Sequence, residues 1–134
     1  PLPDEVIPIF QEIRERACGS EYLFPARKKS KNGYISDDTV NSALNKMFGG
    51  SPNKNQYPNI LGAAGIKHFT IHDLRRTCRT LLAHLGINRD VAERCLNHKI
   101  KGIEGTYNQH DYFNERKEAL TALAELIIPL TKSN

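Results

Sequence analysis

The segment from Thr70 to Gly86 constrains this chain more than any other. Leu74, Cys78, Leu81, Leu82 and Leu85 recur at helical spacing, so one face of a helix is apolar and calls for burial. Thr70 stands where an N-cap belongs, Asp73 three positions on is a capping-box partner, and Gly86 marks the C-terminal stop.

The remaining sequence supplies further helices of the same kind. Val6, Ile9, Phe10 and Ile13 predict a first helix over about Asp4 to Ala17, and the apolar Tyr22-Leu23-Phe24-Pro25 is expected to pack against it. Asn32-Gly33 is a turn signal. Ser36 reads as the N-cap of a second helix, with Asp37 and Asp38 in its first turn. Its stripe is Val40, Leu44, Met47 and Phe48, and Gly49-Gly50 ends it. Ser51 to Lys67 reads as a long loop with a short helical turn near Ile60–Ala64. Asn88 caps another helix reaching about Asn97. A last one covers about Tyr112 to Ile128, with Phe113, Leu120, Leu123, Ala124 and Ile127 apolar and Pro129 as its breaker. A mainly α fold follows.

At 134 residues the chain fits one domain with a modest core. No stretch has the length of a membrane span and no signal segment opens it, so the expectation is a cytoplasmic protein without a membrane partner. It begins Pro-Leu-Pro and its one Met is Met47, as expected of a piece of a longer polypeptide. Cys18, Cys78 and Cys95 are an odd set at unrelated spacings, which is no disulfide framework and suits a reducing compartment. Cys95 and His98 are spaced like half a zinc clip without a second half, so neither metal nor cofactor is expected. A net charge of +4 and a pI near 9.1 point toward a polyanionic partner. The basic residues gather in two places: Arg27, Lys28, Lys29 and Lys31 in a loop, and Arg75, Arg76 and Arg79 on the helix that begins at Ile71.

On that helix His72, Arg75, Arg76 and Arg79 fall at i, i+3, i+4 and i+7, opposite the leucine stripe. Cations this close repel one another, and a phosphate near the helix N-terminus would relieve the repulsion while accepting bidentate guanidinium hydrogen bonds. The competing reading is a solvent-facing basic strip paired with acidic neighbours. His98 and Tyr107 are equally ambiguous singly, as a helix-end cap and a packing residue. A tyrosine hydroxyl with a pKa near ~10 becomes a nucleophile only with help from bases or cations. Gly102 and Gly105 lend backbone freedom to the approach to Tyr107.

Taken together, His72-Asp73-Leu74-Arg75-Arg76-Thr77, then Leu96-Asn97-His98, then Tyr107 nine residues beyond, resemble the C-terminal signature of the tyrosine recombinases, the phage integrases. That family has a His-x-x-Arg box, a Leu-Gly-His-like box and a tyrosine about nine residues later. Phe69-Thr70 and Tyr107-Asn108-Gln109-His110 are especially similar to integrases of satellite phages and genomic islands. Asn97 departs from the glycine that many relatives place before the histidine. The family's earlier arginine and its β-hairpin lysine have no counterpart here, and a pair like Pro1-Leu2 follows that lysine's strand in relatives.

The resemblance implies a compact multi-helix C-terminal part of a recombinase catalytic domain over 1–134, without the family's N-terminal β-hairpin region. It also implies site-specific recombination through a 3′-phosphotyrosyl intermediate. Tyr107 would be the nucleophile, Arg75 would stabilise the phosphate, and His72 and His98 would hydrogen-bond and move protons. Arg76, Arg79, Arg27, Lys28, Lys29 and Lys31 are the candidates for DNA contact. The implied partners are double-stranded DNA, a tetramer of the full-length protein and an accessory directionality factor in a bacterial cytoplasm. The fragment alone is expected to bind DNA weakly and not to cleave it. A topoisomerase-like activity is poorly separated from recombination by sequence. Two rivals are a helix-turn-helix module reading DNA with Arg89–Leu96, and a two-histidine phosphodiesterase using His72 and His98.

Overall fold

The computed structural model describes residues 1–28, 31–50, 57–98 and 110–132. A 3-10 turn at Asp4–Val6 leads into α1 (Ile7–Arg16). There follow α2 (Asp38–Met47), α3 (Ile60–Ala63), α4 (Ile71–His84), α5 (Arg89–Cys95) and α6 (Phe113–Lys132). Among the described residues no sheet forms, and the extended pairing is two isolated antiparallel bridges, Pro25 with Tyr34 and Phe48 with Asn59. The mainly helical fold expected from the apolar periodicity is the one observed. The chain divides into two compact units, one of Pro1–Ile13 with Arg75–Asn134 and the other of Arg14–Leu74.

The first unit is built on Leu82, Val91, Ala92, Ala119 and Leu123, which bring α4, α5 and α6 together. Leu82 is fully buried, and burying a leucine contributes roughly 1.5–3 kcal/mol. Ala92 and Ala119, also fully buried, keep the packed surfaces of α5 and α6 low. Cys78, Leu81, Ile87, Cys95 and Tyr112 pack around this cluster. Burial pushes the Cys78 and Cys95 thiols up, which keeps them protonated and unreactive.

The leucine stripe of α4 is buried only in part. Leu74 and Leu85, at its two ends, are 51% and 37% exposed. The period marks which face is apolar, but the length of the partners decides how much of it is covered. The 7 residues of α5 span about 10 Å against about 21 Å for the 14 of α4.

In α6 the start agrees with expectation to within one residue, and the stop differs. Tyr112 has φ 53°, so the helix begins after it, while its carbonyl accepts from the Arg116 N–H at 2.8 Å. Pro129 lies inside the helix and does not end it. Proline removes one i→i−4 bond, and here it does so on an exposed stretch, Glu125–Ile127 and Pro129, which is open to solvent. Ala119, Leu123 and Ala124 form the buried side of α6, whereas Phe113 is 53% exposed.

In the second unit α2 begins two residues past Ser36, and Asp37 occupies the cap position. Ser36 instead closes the preceding turn: its carbonyl accepts from the Thr39 N–H at 2.9 Å and its hydroxyl meets that of Thr39 at 3.0 Å. Val40 and Met47 of the expected stripe are exposed. Tyr22 and Phe24 are exposed too. Their segment forms a short antiparallel ribbon, with Ala26 N–H bonded to Gly33 O at 3.0 Å, Ile35 N–H to Phe24 O at 3.1 Å, and the Tyr22 and Tyr34 rings 5.1 Å apart. The Asn32-Gly33 turn makes this possible, since Gly33 has φ 77°. The expected helical turn near residue 60 is α3, capped by the Asn59 side chain on the Gly62 N–H at 2.8 Å.

Candidate functional site

The start of α4 is fixed by the capping box that the sequence announced. Thr70 N–H donates to Asp73 Oδ2 at 2.9 Å, and Asp73 N–H donates back to Thr70 Oγ1 at 3.3 Å. Asn41 of α2 accepts from the Ile71 N–H at 3.4 Å, which satisfies another open donor of this helix end. His72 is exposed on this first turn. It lines an open groove of about 480 Å³ together with Asn41, Asn45, His68 and Phe69.

The end of α5 carries the other histidine, and the backbone there makes a Schellman motif. Asn97 N–H bonds to Arg94 O at 3.0 Å and His98 N–H to Glu93 O at 2.9 Å. The motif requires a left-handed residue, and Asn97 supplies it with φ 55°. Asparagine is the residue after glycine that most readily adopts this conformation. The departure from the family's glycine therefore keeps the same turn.

This turn brings the side chain of His98 back to that of Glu93. His98 Nδ1 lies 2.5 Å from Glu93 Oε2, and Arg79 Nε donates to Glu93 Oε1 at 2.8 Å. On the other side of the ring, Arg75 Nε donates to His98 Nε2 at 3.0 Å, and Arg75 Nη2 donates to the Leu96 carbonyl. The hydrogen bond from His98, and then that from Arg79, hold the Glu93 carboxyl below the ordinary glutamate range. The cluster therefore keeps a net positive charge, with Arg75 and the 43% exposed His98 side chain open to solvent.

Of the residues expected to share a site, Arg75 and His98 are in direct contact. Arg79 is half-buried and engaged by Glu93, which sequence reasoning did not single out. The signal for Glu93 is its place five residues before His98, the spacing at which the two ends of a Schellman turn meet. Arg76 is exposed on α4, and Arg27, Lys28 and Lys31 are exposed at the ribbon. Tyr107, Lys29 and the approach through Gly102 and Gly105 lie outside the described residues. Among the described residues no group of three or more His, Cys, Asp or Glu is placed to hold a metal. No described helix is long and apolar enough to cross a membrane.

A guanidinium and an imidazole presented together on a helical scaffold with surplus positive charge have the chemistry that suits an oxyanion. The family model for the phage integrase family matches residues 1–114, and the chain belongs to that family, the tyrosine recombinases. It is 29% identical over 128 residues to the prophage integrase IntA of Escherichia coli (strain K12), a match that covers 95% of this chain. The match spans 27% of that relative's length, about a quarter. No solved structure gives a significant match.

Proposed function

We propose that this chain supplies the nucleophile and part of the phosphate pocket of a site-specific DNA recombinase. The observation that carries the reading is the contact between Arg75 and His98, two side chains 23 residues apart in sequence that the family's signature pairs. In this reading the Tyr107 oxygen attacks the scissile phosphorus and the bond to the 5′ oxygen breaks. The products are a 3′-phosphotyrosyl link and a free 5′-hydroxyl. The tyrosine gives up its proton and the leaving oxygen gains one, with His72 and His98 as the groups that hydrogen-bond and pass protons. Arg75 neutralises the non-bridging oxygens as charge develops. The covalent link preserves the phosphodiester energy, so rejoining to a new strand requires neither a nucleotide cofactor nor a metal.

The DNA-contact roles of Arg76, Arg27, Lys28, Lys29 and Lys31, a tetrameric assembly on DNA and an accessory directionality factor belong to this proposal. Arg79, bound to Glu93, fits a role inside the pocket better than one at the DNA backbone. The helix-turn-helix reading gains no support from α5, whose Val91 and Ala92 are buried and whose first turn carries the acidic Asp90.

The test uses the complete natural protein and a suicide substrate nicked beside the scissile phosphate. A covalent protein–DNA adduct is expected, absent in Tyr107→Phe and formed about 10²–10³-fold more slowly in Arg75→Ala. An adduct that survives Tyr107→Phe overturns the nucleophile assignment. Turnover without any adduct points to the two-histidine phosphodiesterase instead.

A further inference from the structure

We infer that Glu93, clamped by Arg79, is a positioning residue that locks His98 in its Nδ1–H tautomer, leaving Nε2 as the nitrogen that faces Arg75 and the phosphate. The inference deepens the recombinase reading and rests on it for the identity of the phosphate.

The argument begins with arginine, which does not lose its proton in a protein. Arg75 Nε, 3.0 Å from His98 Nε2, is therefore the donor, and Nε2 must offer a lone pair. A neutral imidazole with a lone pair on Nε2 carries its proton on Nδ1. Nδ1 is also the nitrogen that Glu93 Oε2 meets at 2.5 Å, and an ionised carboxylate only accepts. Each side of the ring thus demands the same tautomer independently. Free histidine favours the opposite one, so the protein imposes this state.

Three contacts keep Glu93 in place for the task. Its backbone carbonyl accepts from the His98 N–H at 2.9 Å, which fixes the two residues relative to each other. Its second carboxylate oxygen is held by Arg79 at 2.8 Å. Arg79 and Arg75 lie one turn apart on α4, so the helix that presents the guanidinium to the ring also anchors the carboxylate behind it. When Arg75 turns from Nε2 toward a phosphate oxygen, the imidazole is left with Nε2 outward and a carboxylate behind it. That carboxylate stabilises the imidazolium formed if Nε2 takes up a proton, and the proton can then be passed on.

Nitrogen-15 NMR of the histidine-labelled 134-residue chain reads the tautomer without any activity. At a pH where the ring is neutral, His98 is expected to show a protonated Nδ1 and an unprotonated Nε2, and the reverse pattern overturns the inference. In Glu93→Gln the side-chain oxygen stays with Arg79 and the amide turns its donors toward Nδ1. Arg75 still favours Nδ1–H against that donor, so His98 is then expected to populate both tautomers, and an undiminished Nδ1–H population overturns the role of Glu93. Should Glu93→Gln fail to fold, Glu93→Asp, too short to bridge Arg79 and His98, is expected to lose the Nδ1–H preference. An unchanged ring in that variant overturns the role equally.

In the complete protein Glu93→Gln is expected to slow single-turnover cleavage at least about 10–100-fold, the scale seen for partners that orient metal-bound histidines, with DNA affinity unchanged. Normal cleavage in Glu93→Gln sinks the positioning role and leaves the recombinase reading intact. A Tyr107→Phe protein that still forms an adduct sinks that reading and leaves the tautomer assignment standing.

Discussion

The ends of α4 and α5 are the same backbone device put to two uses. At the end of α4, Gly86 N–H bonds to Ala83 O and Ile87 N–H to Leu82 O, each at 3.0 Å, around a left-handed Gly86 with φ 73°. The end of α5 repeats the pattern through Asn97, with His98 in the place of Ile87 and Glu93 in the place of Leu82. In such motifs the residue after the turn normally makes an apolar contact with the one three places back from the helix end. At α4 it does: Ile87 packs on the cluster that holds the fully buried Leu82. At α5 an imidazole and a carboxylate make that contact instead, and both stay accessible. One end of this pair builds the core and the other, 11 positions later in sequence, presents an imidazole and a carboxylate to solvent.

The comparison is broken most severely at Leu82. Leu82→Ala is expected to destabilise the chain by about 2–5 kcal/mol in urea unfolding, because the cavity opens where α4, α5 and α6 meet. Converting the second end into a copy of the first is the sharper trial. The double variant Glu93→Leu, His98→Ile keeps the backbone motif and leaves the 30% exposed Arg79 side chain to water in place of the carboxylate, so it is expected to fold. In the complete protein its cleavage of a suicide substrate is expected to fall more than about 100-fold. A folded double variant that still cleaves at the normal rate removes His98 from the mechanism.

The turn residues give smaller effects of opposite sign. Gly86→Ala meets open space, so its cost is backbone strain alone, about 1–2 kcal/mol in the free energy of unfolding. Asn97→Gly relaxes the same strain and is expected to stabilise by less than about 1 kcal/mol. A loss on Asn97→Gly would show that the asparagine side chain, and not its backbone, matters there.

The smallest expected effect is in acid. Glu93 is held below its ordinary value near 4.5, so its contribution is complete above that pH and is lost as the pH falls through the lower folded-state value. Unfolding midpoints measured from about pH 6 down to about pH 3 should decline less steeply in Glu93→Gln than in the wild type. Parallel curves would mean that the carboxylate contributes nothing to the folded state.

Much of this was legible in the residues themselves. Thr70 and Asp73 announced the start of α4, Gly86 its end, and Asn88 the start of α5, because a cap is local chemistry between residues at most three positions apart. The His72, Arg75 and His98 positions were found by their intervals, although nothing in those intervals says which atoms meet. Pro129 misled, because a proline's cost depends on whether water or neighbours can satisfy the carbonyl it strands. Leu74 and Leu85 misled for a related reason, as an apolar period names a face but not how far its partner extends.

By itself, then, the sequence determined the order of the helices, the caps of α4 and α5, and the family, all of which rest on short-range spacing. Only the tertiary structure decided that Arg79 turns to Glu93, that Glu93 backs His98, and that Arg75 closes on the far side of the ring. The contacts made by Arg79 and Arg75 join residues 14 and 23 positions apart across two helices, and their geometry is set by how α4 and α5 pack on Leu82, Val91 and Ala92. Hydrogen bonds are directional over a few tenths of an ångström, and a spacing pattern carries no information at that scale.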